Sequence, residues 1–107
     1  ERLSACGPLL EALEQADREG RRIAAICAAP GVVLGRHGLL KGRTATCFPG
    51  FEKEFGDGRY THQGVVTDGN LTTARGLGFA VDLGLELVEL LLGSEAAEET
   101  RRRIQYR

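Results

Sequence analysis

The sequence predicts an α/β fold, and three observations carry that prediction. Segments with helical spacing of apolar residues, 4–19 and 79–92, alternate with short apolar or β-branched runs. One such run, Ile23-Ala24-Ala25-Ile26, is apolar throughout, as strands covered on both faces are. Val65-Val66-Thr67, Asp68-Gly69 and Asn70-Leu71-Thr72-Thr73-Ala74 form the clearest hairpin signal in the chain.

Bulk properties narrow the function classes. The chain has 107 residues, 42% of them hydrophobic, enough for one packed core. Lys+Arg number 14 and Asp+Glu 15, a net charge of −1 that gives no case for nucleic acid or an anionic membrane as partner. No apolar run approaches the length of a membrane span. Three cysteines, at positions 6, 27 and 47, do not make a disulfide framework, and with two distant histidines they do not make a metal site. A reducing cytoplasm is the expected compartment. The chain lacks Met, so Glu1 is not expected to be a translation start, and a longer or processed chain is expected.

In chain order, Leu9, Leu10, Leu13 and Ala16 give the first helix its apolar stripe. Ser4 is the expected N-cap, Pro8 fits only near the first turn, and Gly20 ends the helix. The strand 23–26 runs straight into Cys27-Ala28-Ala29-Pro30-Gly31. Pro30 suits an early helical position, so Cys27 is expected on a sharp strand-to-helix turn. Such a turn lifts one side chain above the sheet and aims helix N–H groups at it, which favours a thiolate. Two readings of Cys27 stand at this point. One is a buried structural cysteine that caps a strand, since free Cys is often buried. The other is a reactive thiol, which the strand–Cys–helix context favours.

The helix after Cys27 is expected from Pro30 to His37, with His37 as a capping or surface histidine. Residues 39–43 form a turn and 44–47 a second strand, broken by Phe48-Pro49-Gly50. Residues 51–55 form one helical turn, and a weak strand is expected at 59–61. Arg75-Gly76-Leu77-Gly78 is a glycine-rich turn without a nucleotide-binding pattern. The 79–92 helix is apolar nearly all round and is expected to be buried on most sides. Ser94 caps a last helix whose acidic start and Arg101-Arg102-Arg103 end suit the macrodipole. The strand 23–26 has one expected parallel neighbour, 44–47, plus the hairpin. That is too little sheet for these helices, and part of the sandwich is expected to lie elsewhere.

Five motifs in order resemble the ThiJ/PfpI family. They are Ala24-Ala25-Ile26-Cys27-Ala28-Ala29-Pro30, Gly38-Leu39-Leu40-Lys41-Gly42, Thr46-Cys47-Phe48-Pro49-Gly50, Asp68-Gly69-Asn70 and Thr73-Ala74-Arg75-Gly76-Leu77-Gly78. Within the family they look closest to the branch of the Parkinson-associated protein and its bacterial relatives. The resemblance implies a flavodoxin-like three-layer α/β sandwich, of which residues 1–107 carry the C-terminal part of a single domain. It implies a homodimer, and a separate N-terminal segment of the same protein that supplies the first strands. It also implies an elbow cysteine that acts as nucleophile and oxidation sensor, matched here by Cys27.

The activities implied are glyoxalase III-type lactate formation from methylglyoxal, deglycation of its adducts, a peptidase in some branches, and chaperone action. Ala28 stands where the peptidase branch carries a histidine, which argues against a Cys-His protease. Phe48 stands where many relatives place a histidine before the proline. The family's thiol-bonding glutamate falls upstream of this chain. A thiolate adding to an aldehyde gives a hemithioacetal, and a carboxyl group must then move the proton. The expected catalytic groups are Cys27 and the backbone of Ala28; Phe48, Pro49, Arg75 and Gly76 are the expected substrate-binding residues. No cofactor and no metal is implied. The alternative is a redox-sensing or chaperone-like protein without turnover.

Overall fold

Leu10, Leu13 and Ala16 recur at helical spacing and pack on the core, which fixes the inner face of α1 (Gly7–Arg18). The structure is a computed structural model that describes residues 2–106; Glu1, not expected to be a translation start, lies outside the described residues. Pro8 falls in the first turn of α1, where its missing N–H costs nothing. Ser4 does not cap this helix. Cys6 holds the cap position without a side-chain bond. Ser4 Oγ and Ser4 O instead each meet His37 Nε2 at 3.0 Å. His37 thus ties the segment before α1 to the far end of the turn that follows the elbow.

The chain then forms β1 (Ile23–Ile26), β2 (Thr44–Ala45), β3 (Arg59–Tyr60), β4 (Val65–Asp68) and β5 (Leu71–Ala74). Two helices close it, α2 (Ala80–Leu92) and α3 (Ser94–Arg103). The strand order of the larger sheet is β1-β5-β4. β1 runs parallel to β5, Ile23 opposite Leu71 and Ile26 opposite Ala74. β4 and β5 form the expected antiparallel hairpin, with Asp68 opposite Leu71. The two central turn residues are Gly69 and Asn70, one position later than the Asp-Gly signal suggests. Gly69 takes the positive φ of +62°.

The neighbour of β1 is therefore β5, not 44–47. The second strand is only two residues long and pairs in parallel with β3. Side chains rather than a ladder dock it on the hairpin. Thr44 N donates to Asp68 Oδ2 at 2.7 Å, and Thr46 N donates to Thr73 Oγ1 at 2.9 Å. A backbone N–H satisfied by a side chain has no need of a strand partner.

Alternate residues of β5 reach opposite sides, as the period of two requires. Leu71 joins Ile23, Val33, Leu34 and Leu40 in the core beneath α1. Thr72 Oγ1 meets Thr67 Oγ1 at 2.9 Å, and Thr67 Oγ1 reaches Glu86 of α2 at 2.7 Å. Helices thus lie on both faces of a sheet, the α/β sandwich expected.

Two expectations about burial fail, for one reason. β1 is not covered on both faces: Ile23 is buried but Ala24 is exposed. α2 buries only Leu85 fully, while Leu91 is 66% and Leu92 73% exposed. β1 is an edge strand in this order, and the apolar surface of α2 outruns the sheet beneath it. Ser94 does not cap α3 through its side chain; it is the first helical residue, after Gly93. No helix among the described residues is long and apolar enough to cross a membrane.

Candidate functional site

Cys27 is the residue the local backbone singles out. Its φ is +65°, in the left-handed region that a residue with a Cβ rarely enters. The conformation is held from both sides. Cys27 N donates to Ala74 O at 3.0 Å, which extends the β1–β5 pairing by one step. Phe48 N donates to Cys27 O at 2.7 Å. Strain of this kind persists only where neighbours over-determine it, and it concentrates at functional sites. The side chain it lifts is exposed, so the reading of a buried structural cysteine is overturned.

The chain after the elbow differs from the regular helix expected to His37. Pro30–Gly35 is a six-residue π-helix, with Arg36 N donating to Gly31 O. All six residues are buried. Gly31 and Gly35 explain how it fits: a Cβ on either would collide with the carbonyl oxygen of Phe51 or Glu54. The elbow is therefore braced by close backbone packing against residues 51–55, which contain the expected helical turn, Glu52–Glu54. Ala28 O accepts from Gly31 N and Val32 N. Among the described residues the Ala28 N–H donates to no protein acceptor.

The four residues expected to bind substrate come together. Phe48, Pro49, Arg75 and Gly76, with Phe79, line one open cavity of about 290 Å³. Arg75 is fixed there by three contacts. Its N donates to Gly64 O, its Nη1 donates to His62 O at 2.6 Å, and its guanidinium lies 4.9 Å from the Phe79 ring centre. Gly76 faces Phe48, so a Cβ there would sit 3.6 Å from the ring. Cys27 and Ala28 do not line this cavity. Ala28 borders a separate one of about 310 Å³ with Val32, Arg36 and Phe51. The bond from Phe48 N to Cys27 O joins elbow and cavity through the backbone.

Behind Phe48 lies Cys47, wholly buried. Its thiol donates to Phe48 O at 3.3 Å. Burial pushes it up from the ordinary 9.0 to about 11, and the nearby Glu52 charge adds to the effect. Cys47 is thus a neutral thiol at physiological pH. Glu52 itself is held below the usual carboxylate range, chiefly by a hydrogen bond from Gly50 N at 2.8 Å. Tyr60 Oη meets His62 Nδ1 at 3.4 Å. Glu52, Tyr60 and His62 were not picked out from the sequence. Glu52 carries no motif signal beyond one helical turn, and β3 was only a weak strand. Among the described residues no three His, Cys, Asp or Glu side chains cluster to hold a metal ion.

Comparison with known proteins bears on these features. The model of the DJ-1/PfpI family matches residues 1–90. Protein DJ-1 homolog B of Arabidopsis thaliana is 42% identical over 100 residues, which cover 92% of this chain and 23% of that protein. A protein named glutathione-independent glyoxalase DJR-1.2, from Caenorhabditis elegans, is 33% identical over 88% of this chain and 50% of its own length. Among solved structures, a cysteine-to-alanine mutant of a DJ-1 superfamily protein from Salmonella typhimurium superposes with a TM-score of 0.94. It is 37% identical and covers 98% of this chain and 57% of its own. The chain therefore spans about half the length of the Caenorhabditis and Salmonella relatives and about a quarter of the Arabidopsis one.

Proposed function

The chain belongs to the DJ-1/PfpI family, and from that premise we propose that Cys27 is the nucleophile of an aldehyde-processing enzyme of glyoxalase III or deglycase type, acting on methylglyoxal or its adducts. The single observation that carries the reading is the left-handed backbone of Cys27, pinned at N by Ala74 and at O by Phe48 with its side chain exposed. A nucleophile held this way meets substrate without prior rearrangement. The relative named as a glutathione-independent glyoxalase supports the reaction class.

The thiolate adds to the aldehyde carbon, and the carbonyl oxygen becomes an oxyanion. The Ala28 N–H, which has no protein acceptor among the described residues, is the donor this chain offers it. The proton must then pass from the aldehyde-derived carbon to its neighbour, which needs a carboxyl group and leaves a lactoyl thioester; water hydrolyses it to lactate and frees the Cys27 thiolate. We assign the carboxyl group to a glutamate in an N-terminal segment of the same protein. The open edge of β1 and the uncovered surface of α2 support such a segment, and the same surfaces suit a homodimer. Phe48, Pro49, Arg75 and Gly76 bind the rest of the substrate.

The test is lactate formation from methylglyoxal by the intact protein, in buffer free of amine and thiol. Cys27→Ser should abolish it, because a serine hydroxyl is a far weaker nucleophile at neutral pH. Cys47→Ser should largely preserve kcat and raise KM first. Wild-type turnover by Cys27→Ser would overturn the assignment. A wild-type protein that makes no lactate, yet changes stability when Cys27 is oxidised, would favour a redox sensor without turnover.

A further inference from the structure

Cys47 is a buried nucleophile that the proposed reaction does not use. Its position relative to Cys27 is set by the hydrogen bond from Phe48 N to Cys27 O, 2.7 Å long. The Cα atoms of Cys47 and Cys27 each lie two covalent bonds from one end of that bond. The bond lengths cap their separation at about 7.5 Å, and the bend at the carbonyl oxygen brings it toward the span of a disulfide. The two cysteines are near enough that a charge on Cys27 is felt at Cys47. Cys27 is exposed and Cys47 is wholly buried. An oxidant can therefore reach the first and not the second. Cys6 is also exposed but lies at the start of α1.

We propose that Cys47 is the resolving cysteine for Cys27, closing an intramolecular Cys27–Cys47 disulfide after a hydroperoxide has oxidised the elbow. The inference rests on the reading of Cys27 as the reactive thiol. In the first step the Cys27 thiolate attacks the peroxide, the O–O bond breaks, and Cys27 becomes a sulfenic acid while the peroxide is reduced to alkoxide or hydroxide. In the second step Cys47 sulfur attacks the sulfenic sulfur. The S–S bond forms, the S–O bond breaks, and the hydroxyl leaves with the Cys47 proton as water. Two thiols are oxidised by two electrons and one peroxide is consumed.

Burial and the raised pKa of Cys47 make the second step slow at neutral pH and faster toward pH 11. The disulfide would protect Cys27 from oxidation to the irreversible sulfinic acid. Closure would also tighten the elbow against the Phe48–Pro49 wall of the cavity.

The experiment treats the intact protein with a several-fold excess of hydrogen peroxide, blocks remaining thiols after denaturation, and digests with trypsin without reduction. Arg36, Lys41 and Arg43 lie between the two cysteines, so the bridge joins separate peptides, 23–36 and 44–53. That linked pair, lost on reduction, is the expected product. Its yield should rise with pH. Cys47→Ala and Cys47→Thr should each give several-fold more Cys27 sulfinate at the same dose. Cys27 sulfinate in the wild type, with Cys47 still open to blocking, would overturn the inference and leave the elbow reading intact. A bridge to Cys6 or to a second molecule would overturn it equally. Oxidation of Cys6 with Cys27 untouched would overturn the elbow reading itself.

Discussion

Buried Cys47 makes the stability of this protein fall at alkaline pH by an amount that can be worked out. In the fold the thiol titrates near 11 instead of 9.0, mainly because burial penalises the thiolate and secondly because Glu52 lies near it. The unfolded chain carries neither constraint. Below pH 9 both states hold the proton and the full stability is present. Between about pH 9 and 11 the unfolded state loses its proton and the folded state keeps it, so stability drops as pH rises. A gap from 9.0 to about 11 corresponds to a loss of ~3 kcal/mol across that window. Urea denaturation of the reduced, intact protein at intervals from pH 7 to pH 11 measures this, with Cys47→Ala as the reference. The variant loses packing at every pH, a constant offset. What matters is the difference between the two curves, which should stay level to pH 9 and then close by ~3 kcal/mol. Parallel curves to pH 11 would refute the placement of Cys47 as a protonated core thiol.

Two further outcomes follow from geometry. Gly35→Ala places a methyl group against Glu54 O and should cost ~1–3 kcal/mol with a matching fall in Tm, whereas Gly38→Ala, with open space at its Cβ but a φ of +79°, should cost only the smaller backbone penalty of ~1 kcal/mol. Arg75→Ala removes the bond to His62 O and the stacking on Phe79; steady-state kinetics with methylglyoxal should show KM rising before kcat falls, and an unchanged KM would take Arg75 out of the binding wall.

Much of this was legible in the sequence where one local signal decided the outcome. The apolar stripe of α1, the β4–β5 hairpin and the strand-to-turn break at Cys27 each depend on spacing within a few residues. The motifs also point to Phe48, Pro49, Arg75 and Gly76, which meet at one cavity although 25 residues of chain intervene between Pro49 and Arg75. What could not be read depends on partners distant in sequence. β1 takes β5 as its neighbour because the ladder continues through Cys27 N to Ala74 O, and no local pattern in 23–26 encodes that choice. Ser4 looked like a cap because serine usually caps, yet His37 competes for it from 33 residues away. The π-helix depends on Gly31 and Gly35 meeting carbonyls of residues 51–54, a close approach seen only once both segments are placed. The partial exposure of α2 is not encoded in its composition, which reports how apolar a helix is and not how much sheet lies beneath it.

Whether the elbow makes Cys27 the reactive thiol is decided by comparison with Cys6, since both are exposed and only Cys27 of the two has the left-handed backbone. The intact protein is treated briefly with limiting iodoacetamide at pH 7, and the cysteine peptides 3–18 and 23–36 are quantified by mass spectrometry. Exposure alone predicts similar labelling of the two. An activated nucleophile predicts labelling of Cys27 at least ~10-fold faster than Cys6, with methylglyoxal consumption lost in proportion to the Cys27 label. Equal rates, or full activity after Cys27 is alkylated, would show that the elbow does not make Cys27 the nucleophile.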